Sequence, residues 1–362
     1  MSNILYWLAD ETACGFYRCK LPGSLLAAKG HNIIADETID LDALGHCDVL
    51  VGQRIAKPGP SKLWQGLARG EGRSHPLVYE LDDDVFALCE EPSNPNSVTW
   101  PALIPNVVKN LACSDVVTVS TWQLAEVVAQ FTSAPVHVVP NAVPDDLKRA
   151  VTSYVPHAIG WSGSPTHDGD WAHDDAARAV MRWTQQQAAQ RGNPWCLRTI
   201  GWVPRPVLKA HVAYPKARWD ITPGTRDIQA YYNLLRTQFR IGLAPLSPSR
   251  FNRSKSDLRL LELAALGIPW VASNVGPYAD TTEAVGGLRV SRQRDWWIKL
   301  NAVTRDPELR QALRAEGQKW AATRTVSRVL PLWETALGLP TSPEPPPEQP
   351  REEGIHDPSN VS

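Results

Sequence analysis

Short, unbroken apolar runs alternate with helix-patterned stretches along this chain, and they do so in two successive series. In the first half, residues 4–8, 33–35, 49–52, 77–81, 116–119 and 136–139 read as strands. Continuous apolar runs mark strands buried on both faces, and the helices between them supply the crossovers that parallel pairing needs. One helix is expected over 16–29, with Gly15 just before it and Gly30 at its end. Another is expected over 123–131, with Ser120 and Thr121 placed to cap it. Pro140-Asn-Ala-Val-Pro144 breaks the pattern, and a polar stretch runs on to Pro156. Strands then resume at 158–161, 196–200, 241–246 and 270–273, with helices over 171–190, 226–238 and 257–266 and a helix-rich end over 295–337. This alternation specifies an α/β fold of two parallel units, 1–141 and 157–338, joined by a linker at 142–156. From Pro340 the chain turns Pro-rich and acidic with no aromatic residue, so 339–362 is expected to be a disordered tail.

Charge narrows the function classes. Lys plus Arg total 37 and Asp plus Glu 38, a balance that argues against a strongly basic nucleic-acid coat or a polybasic membrane anchor. No apolar run approaches the length of a transmembrane helix, and Met-Ser-Asn-Ile-Leu-Tyr-Trp lacks a signal-peptide layout, so a cytoplasmic location is expected. The cysteines (Cys14, Cys19, Cys47, Cys89, Cys113 and Cys196) form no Cys-x-x-Cys pair and read as reduced, structural thiols. The Gly-x-Gly-x-x-Gly signature is missing after the first strand, and Gly160-Trp-Ser-Gly has the wrong spacing for a nucleophile elbow.

Two stretches of the second unit carry chemistry. In Ile159-Gly-Trp-Ser-Gly-Ser-Pro-Thr-His167 a strand runs into Gly163 and Ser164 and then towards a helix. Glycine admits close backbone approach, and free amides at a helix N-terminus attract phosphate. His167 stands there as a phosphate hydrogen-bonder or proton carrier, or as an ordinary surface histidine. The stretch from Ile241 to Ser273 reads strand, basic loop, helix, Gly-x-Pro, strand. Arg250, Arg253 and Lys255 crowd the loop, Ser256 is placed as an N-cap, and Asp257 suits the first turn. Such a loop makes a diphosphate cradle. Glu262 shares a helix face with Leu258, Leu261 and Ala265. A carboxylate on an apolar face needs a partner: two ribose hydroxyls, or Lys255 or Arg259 in an ion pair.

The run Phe251-Asn252-x-x-Lys255-Ser256, Leu260-Leu261-Glu262, Gly267-Ile268-Pro269 resembles a subgroup of the retaining glycosyltransferases of family 4, which have the GT-B fold. Gly15-x-x-Arg18, Gly30-His31, Tyr79-Glu80-Leu81-Asp82-Asp83-Asp84, Asp115 to Thr121, Val139-Pro-Asn-Ala142 and Gly160 to His167 match further elements in order. The resemblance, over about residues 1–335, implies two Rossmann-like domains facing across a cleft, with the last helices crossing back to the first. It implies a nucleoside diphosphate sugar as co-substrate, bound by Gly163, Ser164, Ser256, Asp257 and Glu262. Arg253, Lys255, Glu262 and His167 would act in transfer without a metal or other cofactor. Gly15, Arg18, Asp82 and Asp83 would line the acceptor side, for a glycan, protein, small molecule or modified nucleobase. The sequence departs from the family at Ser254, where the first of two glutamates would stand, and at Arg240 and Leu263. Two alternatives stay open. Asp82-Asp83-Asp84 contains the Asp-x-Asp with which GT-A enzymes hold Mn²⁺. The chain also fits a non-catalytic nucleotide- or sugar-binding module, or a nucleotide-sugar epimerase or phosphorylase.

Overall fold

A computed structural model describes residues 1–70, 73, 75–147, 157–281 and 286–341. The first sheet holds β1 (Asn3–Trp7), β2 (Asn32–Asp36), β3 (Val49–Gln53), β4 (Leu77–Leu81), β5 (Val116–Val119) and β6 (Val136–Val138), in the order β2-β1-β3-β4-β5-β6. The second holds β7 (Ala158–Gly163), β8 (Cys196–Gly201), β9 (Trp219–Thr222), β10 (Ile241–Ala244), β11 (Trp270–Ser273) and β12 (Gly287–Val290), in the order β12-β11-β10-β7-β8-β9. Every pairing in both sheets is parallel. The chain is thus α/β with two Rossmann-like domains. Among the described residues no helix is long and apolar enough to cross a membrane, and all six cysteines are free thiols.

Three local departures have physical causes. β9 and β12 escape the apolar-run criterion because they are edge strands, and Trp-Asp-Ile-Thr and Gly-Leu-Arg-Val mix polar with apolar positions. The helix expected over 171–190 is broken at His173–Asp175, where Asp174 and Asp175 take left-handed φ values of 48° and 52°. The first helix begins early, at Ala13–Gly15, and runs through a π-helical turn, Phe16–Lys20, into Leu21–Ala28. A Cβ on Gly15 would fall 2.0 Å from the Asp10 carbonyl oxygen, so only glycine lets the loop after β1 fold back this closely.

The two domains are joined by two passes of the chain. Ala142 and Val143, expected in a polar linker, are buried. Val143 pairs with the returning strand: its N–H donates to Arg324 O at 3.1 Å, and its carbonyl accepts from Val326 N–H at 2.8 Å. Residues 148–156 of the linker lie outside the described residues. The terminal helix Val326–Ala336 packs on Leu21–Ala28 and on β5 and β6 of the first domain. Leu339, assigned on composition to the tail, is buried, and its N–H donates to Glu334 O at 2.8 Å. Residues 342–362 of that tail lie outside the described residues.

Arg18 corrects the expectation of an acceptor-facing cation. Its side chain is 1% exposed. Nε donates to Glu80 Oε1 at 2.6 Å, and one terminal nitrogen donates to Val139 O at 2.6 Å and Asn141 Oδ1 at 3.1 Å. The guanidinium lies 4.9 Å from the ring centroid of Trp333 on the terminal helix. Arg18 is therefore a buried brace tying β4, the exit from the first domain and the returning helix.

Candidate active site between the two sheets

The loops at the carboxyl ends of β4 and β5 meet the loop that follows β10. Lys255 Nζ lies 3.4 Å from Asp83 Oδ1, and Thr121 Oγ1 donates to Ser254 O at 2.8 Å. Asn141 Nδ2 donates to Ser256 Oγ at 2.8 Å. The basic loop opens with one helical turn, Arg250–Arg253, capped by Ser249, whose Oγ accepts the Asn252 N–H. Lys255 lies 4.4 Å from the Phe251 ring centroid. Burial works to lower its pKa, but Asp83 and Asp170 outweigh that and hold it above the ordinary lysine value, so it stays charged. Arg253 is exposed at the surface, so Lys255 and Arg250 rather than Arg253 are the cations of this loop that reach the first domain, Lys255 at Asp83 and Arg250 at Glu90 and Asp84.

Ser256 and Asp257 do different work from that expected. The cap position of the Leu258–Ala265 helix is Asp257, with no side-chain cap bond; its carboxylate instead takes Arg324 at 3.2 Å. Gly163 and Ser164 precede not a helix N-terminus but a 3-10 turn, Pro165–His167, and the helix proper opens at Asp168. Gly163 is still required: a Cβ there would fall 2.4 Å from the Trp161 ring.

Glu262 is 6% exposed. The cations weighed as its partners go elsewhere, Lys255 to Asp83 and Arg259 to His167. Its oxygens accept two phenols: Tyr17 from the first domain at Oε1, and Tyr231 at Oε2 at 3.2 Å. Burial raises its pKa to about 7, against the pull of Tyr17, Arg259 and Tyr231.

His167 belongs to a relay. Nδ1 lies 2.8 Å from Asp170 Oδ2, and Nε2 lies 3.1 Å from a terminal nitrogen of Arg259. Burial, with Arg259 adding to it, drops the His167 pKa to about 4. The ring is then neutral: Nδ1–H donates to Asp170, and Nε2 accepts from Arg259. Asp170 Oδ1 accepts from Ser247 N–H at 2.9 Å and Asn252 Nδ2 at 2.7 Å. Arg259 also lies 5.6 Å from the Trp161 ring centroid, one turn before Glu262. Because the unfolded histidine takes a proton that the folded one refuses, stability should fall as pH drops from 6.5 to about 4. We expect a loss on the order of 2–3 kcal/mol across that window, read by urea unfolding, and a smaller loss in His167→Gln.

The three aspartates after β4 diverge to three cations. Asp82 Oδ1 lies 3.9 Å from Arg54, Asp83 Oδ1 3.4 Å from Lys255 and Asp84 Oδ2 3.8 Å from Arg250. Asp84 Oδ1 also caps the 3-10 helix Val85–Glu90. Among the described residues no three His, Cys, Asp or Glu side chains converge as metal ligands do.

Sequence reasoning missed Tyr17, Tyr231 and Asp170 as site groups, quoted Asn252 only as part of a motif, and weighed Arg259 only as an alternative partner for Glu262, whereas it meets His167. Asp170 stands three residues after His167, a spacing that could have suggested the pair. Tyr17 and Tyr231 reach Glu262 from remote segments and carry no local signal.

No protein-family model matches the sequence, and no curated protein is similar to it in sequence. Solved structures do match. Sucrose-phosphate synthase from Thermosynechococcus elongatus is 13% identical, with 90% of this chain and 96% of that one covered and a TM-score of 0.63. An alpha-glucosyltransferase in complex with UDP-glucose and DNA containing an abasic site is 12% identical, with 89% and 94% covered and a TM-score of 0.63. TarM is 10% identical with a TM-score of 0.55; 80% of this chain is covered, but it spans only about half of TarM, 54%. At such identities the likeness is one of fold: two Rossmann-like domains face to face, the GT-B architecture.

Proposed function

We propose that this chain is a glycosyltransferase that moves a sugar from a nucleoside diphosphate sugar to an acceptor hydroxyl, with retention and without a metal. The observation that carries it is Lys255, a charged side chain on a loop at the carboxyl end of the second sheet, facing Asp83 at the carboxyl end of the first. Parallel sheets bind ligands at that end of their strands. The neighbours of this fold include a transferase solved with UDP-glucose, which makes UDP the first nucleotide to try.

In this mechanism the acceptor oxygen bonds to the anomeric carbon as that carbon's bond to the β-phosphate oxygen breaks. The sugar's bonding electrons leave with the nucleoside diphosphate, and the hydroxyl proton passes to the departing phosphate. Charge builds on the β-phosphate, and Lys255, with Arg259 held by His167, offsets it in a site closed to water. Glu262 exchanges the Tyr17 hydroxyl for ribose hydroxyls. Retention rests on the resemblance to family 4 alone. Free thiols and a cytoplasmic setting belong to the same proposal. A module that binds without transferring is the second reading: Ser254, in the place of the family's first glutamate, is buried at the domain junction.

The test is a thermal-shift series with UDP, GDP, ADP and CMP, each with Mn²⁺ or with EDTA. A nucleotide at about 100 times its dissociation constant adds roughly 2.7 kcal/mol of stability. We expect one diphosphate to do so in EDTA. A shift that needs Mn²⁺ would move the diphosphate to Asp82-Asp83-Asp84, and no shift from any nucleotide would sink the donor assignment. Binding without turnover over a panel of acceptors would favour the second reading.

A further inference from the structure

We propose that Tyr17 is a latch across the cleft: its hydroxyl holds the place on Glu262 that a nucleotide's ribose needs, so the donor binds only once the domains have parted. This rests on the transferase reading above, in which Glu262 takes the ribose.

Three phenols meet at this carboxylate, and they come from different domains. Tyr231 and Tyr232 stand on the helix Ile228–Gln238 of the second domain. Tyr17 stands on the first, in the π-helical turn Phe16–Lys20. Its hydroxyl donates to Glu262 Oε1 and lies 2.5 Å from the Tyr232 hydroxyl. Tyr231 reaches Glu262 Oε2 and lies 3.1 Å from Ser162 Oγ. All of Tyr17, Tyr232 and Glu262 are buried. Beside Glu262 there is a void of about 10 Å³, bordered by Ser162, Tyr231 and Arg259. That is room for one water at most, and a ribose is far larger.

Parting the domains withdraws Tyr17 and leaves Tyr231, which the same domain carries as Glu262. Oε1 is then freed, while Oε2 keeps the bond that orients the carboxylate. The Lys255–Asp83 and Arg250–Glu90 pairs also cross the cleft, but both are partly exposed and hold little. The Tyr17 bond is buried and charge-assisted, which makes it one of the stronger kind. A nucleotide then binds in proportion to the fraction of molecules that are unlatched, and its apparent affinity is lowered by that fraction. The domains touch at a second place that can be locked. Ser93 of the first domain lies against Gly169 of the second, and a Cβ on Gly169 would stand 3.5 Å from the Ser93 Cβ. A disulfide spans that distance.

The experiment uses the full chain and whichever of UDP, GDP or ADP gives the shift above. Tyr17→Phe keeps the ring and its packing and removes the hydroxyl. We expect the nucleotide to bind it about tenfold more tightly by calorimetry. A tyrosine with a merely structural role would leave affinity unchanged or weakened on the same substitution. The second variant combines Ser93→Cys with Gly169→Cys, the bridge being verified by peptide mass. Oxidised, it should take up the nucleotide at least tenfold more slowly in stopped-flow fluorescence, and a reductant should restore the rate, which shows that the protein is folded. Unchanged or weaker binding in Tyr17→Phe, or an oxidised bridge that leaves association as fast as the reduced one, overturns the latch and leaves the transferase reading standing. Failure of every nucleotide to bind the unmodified chain removes both.

Discussion

Lys255→Ala should lower turnover with a nucleoside diphosphate sugar by about 10²–10³-fold, the usual cost of removing one preorganised group from a developing anion. The protein itself should survive the change. Lys255 is 21% exposed and Asp83 27%, so the freed carboxylate regains water, and the stability change should stay below about 1 kcal/mol. Lys255→Arg keeps the charge on a longer, planar head and should recover part of the rate. Steady-state kinetics beside a thermal melt separates the two effects. Full turnover in Lys255→Ala would place the diphosphate elsewhere.

The largest stability effect is expected from Arg18→Ala. Glu80 would be left wholly buried with one charged partner gone, and breaking such a pair costs about 3–5 kcal/mol. Packing is lost as well, because the guanidinium lies against Trp333. Urea unfolding reads the loss, and nucleotide affinity per folded molecule should be unchanged. A variant of unaltered stability but weakened substrate use would return Arg18 to the acceptor side.

The parallel architecture was legible because buried central strands must be apolar on both faces. Val-Leu-Val at β3 and Val-Val-Thr-Val at β5 could hardly be anything else. Two edge strands, β9 and β12, were not, since one side of each has no neighbour to demand apolar residues and polar residues interrupt both; the edges β2 and β6 kept short apolar runs and were read. Motif spacing singled out Lys255, Glu262 and His167; His167 meets Arg259 on the helix that carries Glu262, and Lys255 stands on the loop just before that helix. Spacing could not assign partners, because partners come from other loops: Glu262 finds Tyr17 across the cleft, and Lys255 finds Asp83. Arg18 shows the converse error. A cation one turn after a glycine reads as a ligand until Glu80, Asn141 and Trp333 arrive from three distant segments to bury it.

The return of the terminal helix to the first domain has a consequence for synthesis. Residues 1–141 leave the ribosome before the second domain, yet the helix Val326–Ala336 that packs on Leu21–Ala28, β5 and β6 is among the last described residues to be made. Trp333 completes the enclosure of Arg18, and Glu334 pairs with Lys29 at 2.6 Å. While the second domain is being translated, the first carries an uncovered apolar strip and a half-enclosed ion pair. The first domain is thus made before the second yet finished after it, and a nascent chain stalled before residue 326 would present that strip to chaperones or to its neighbours on the same message.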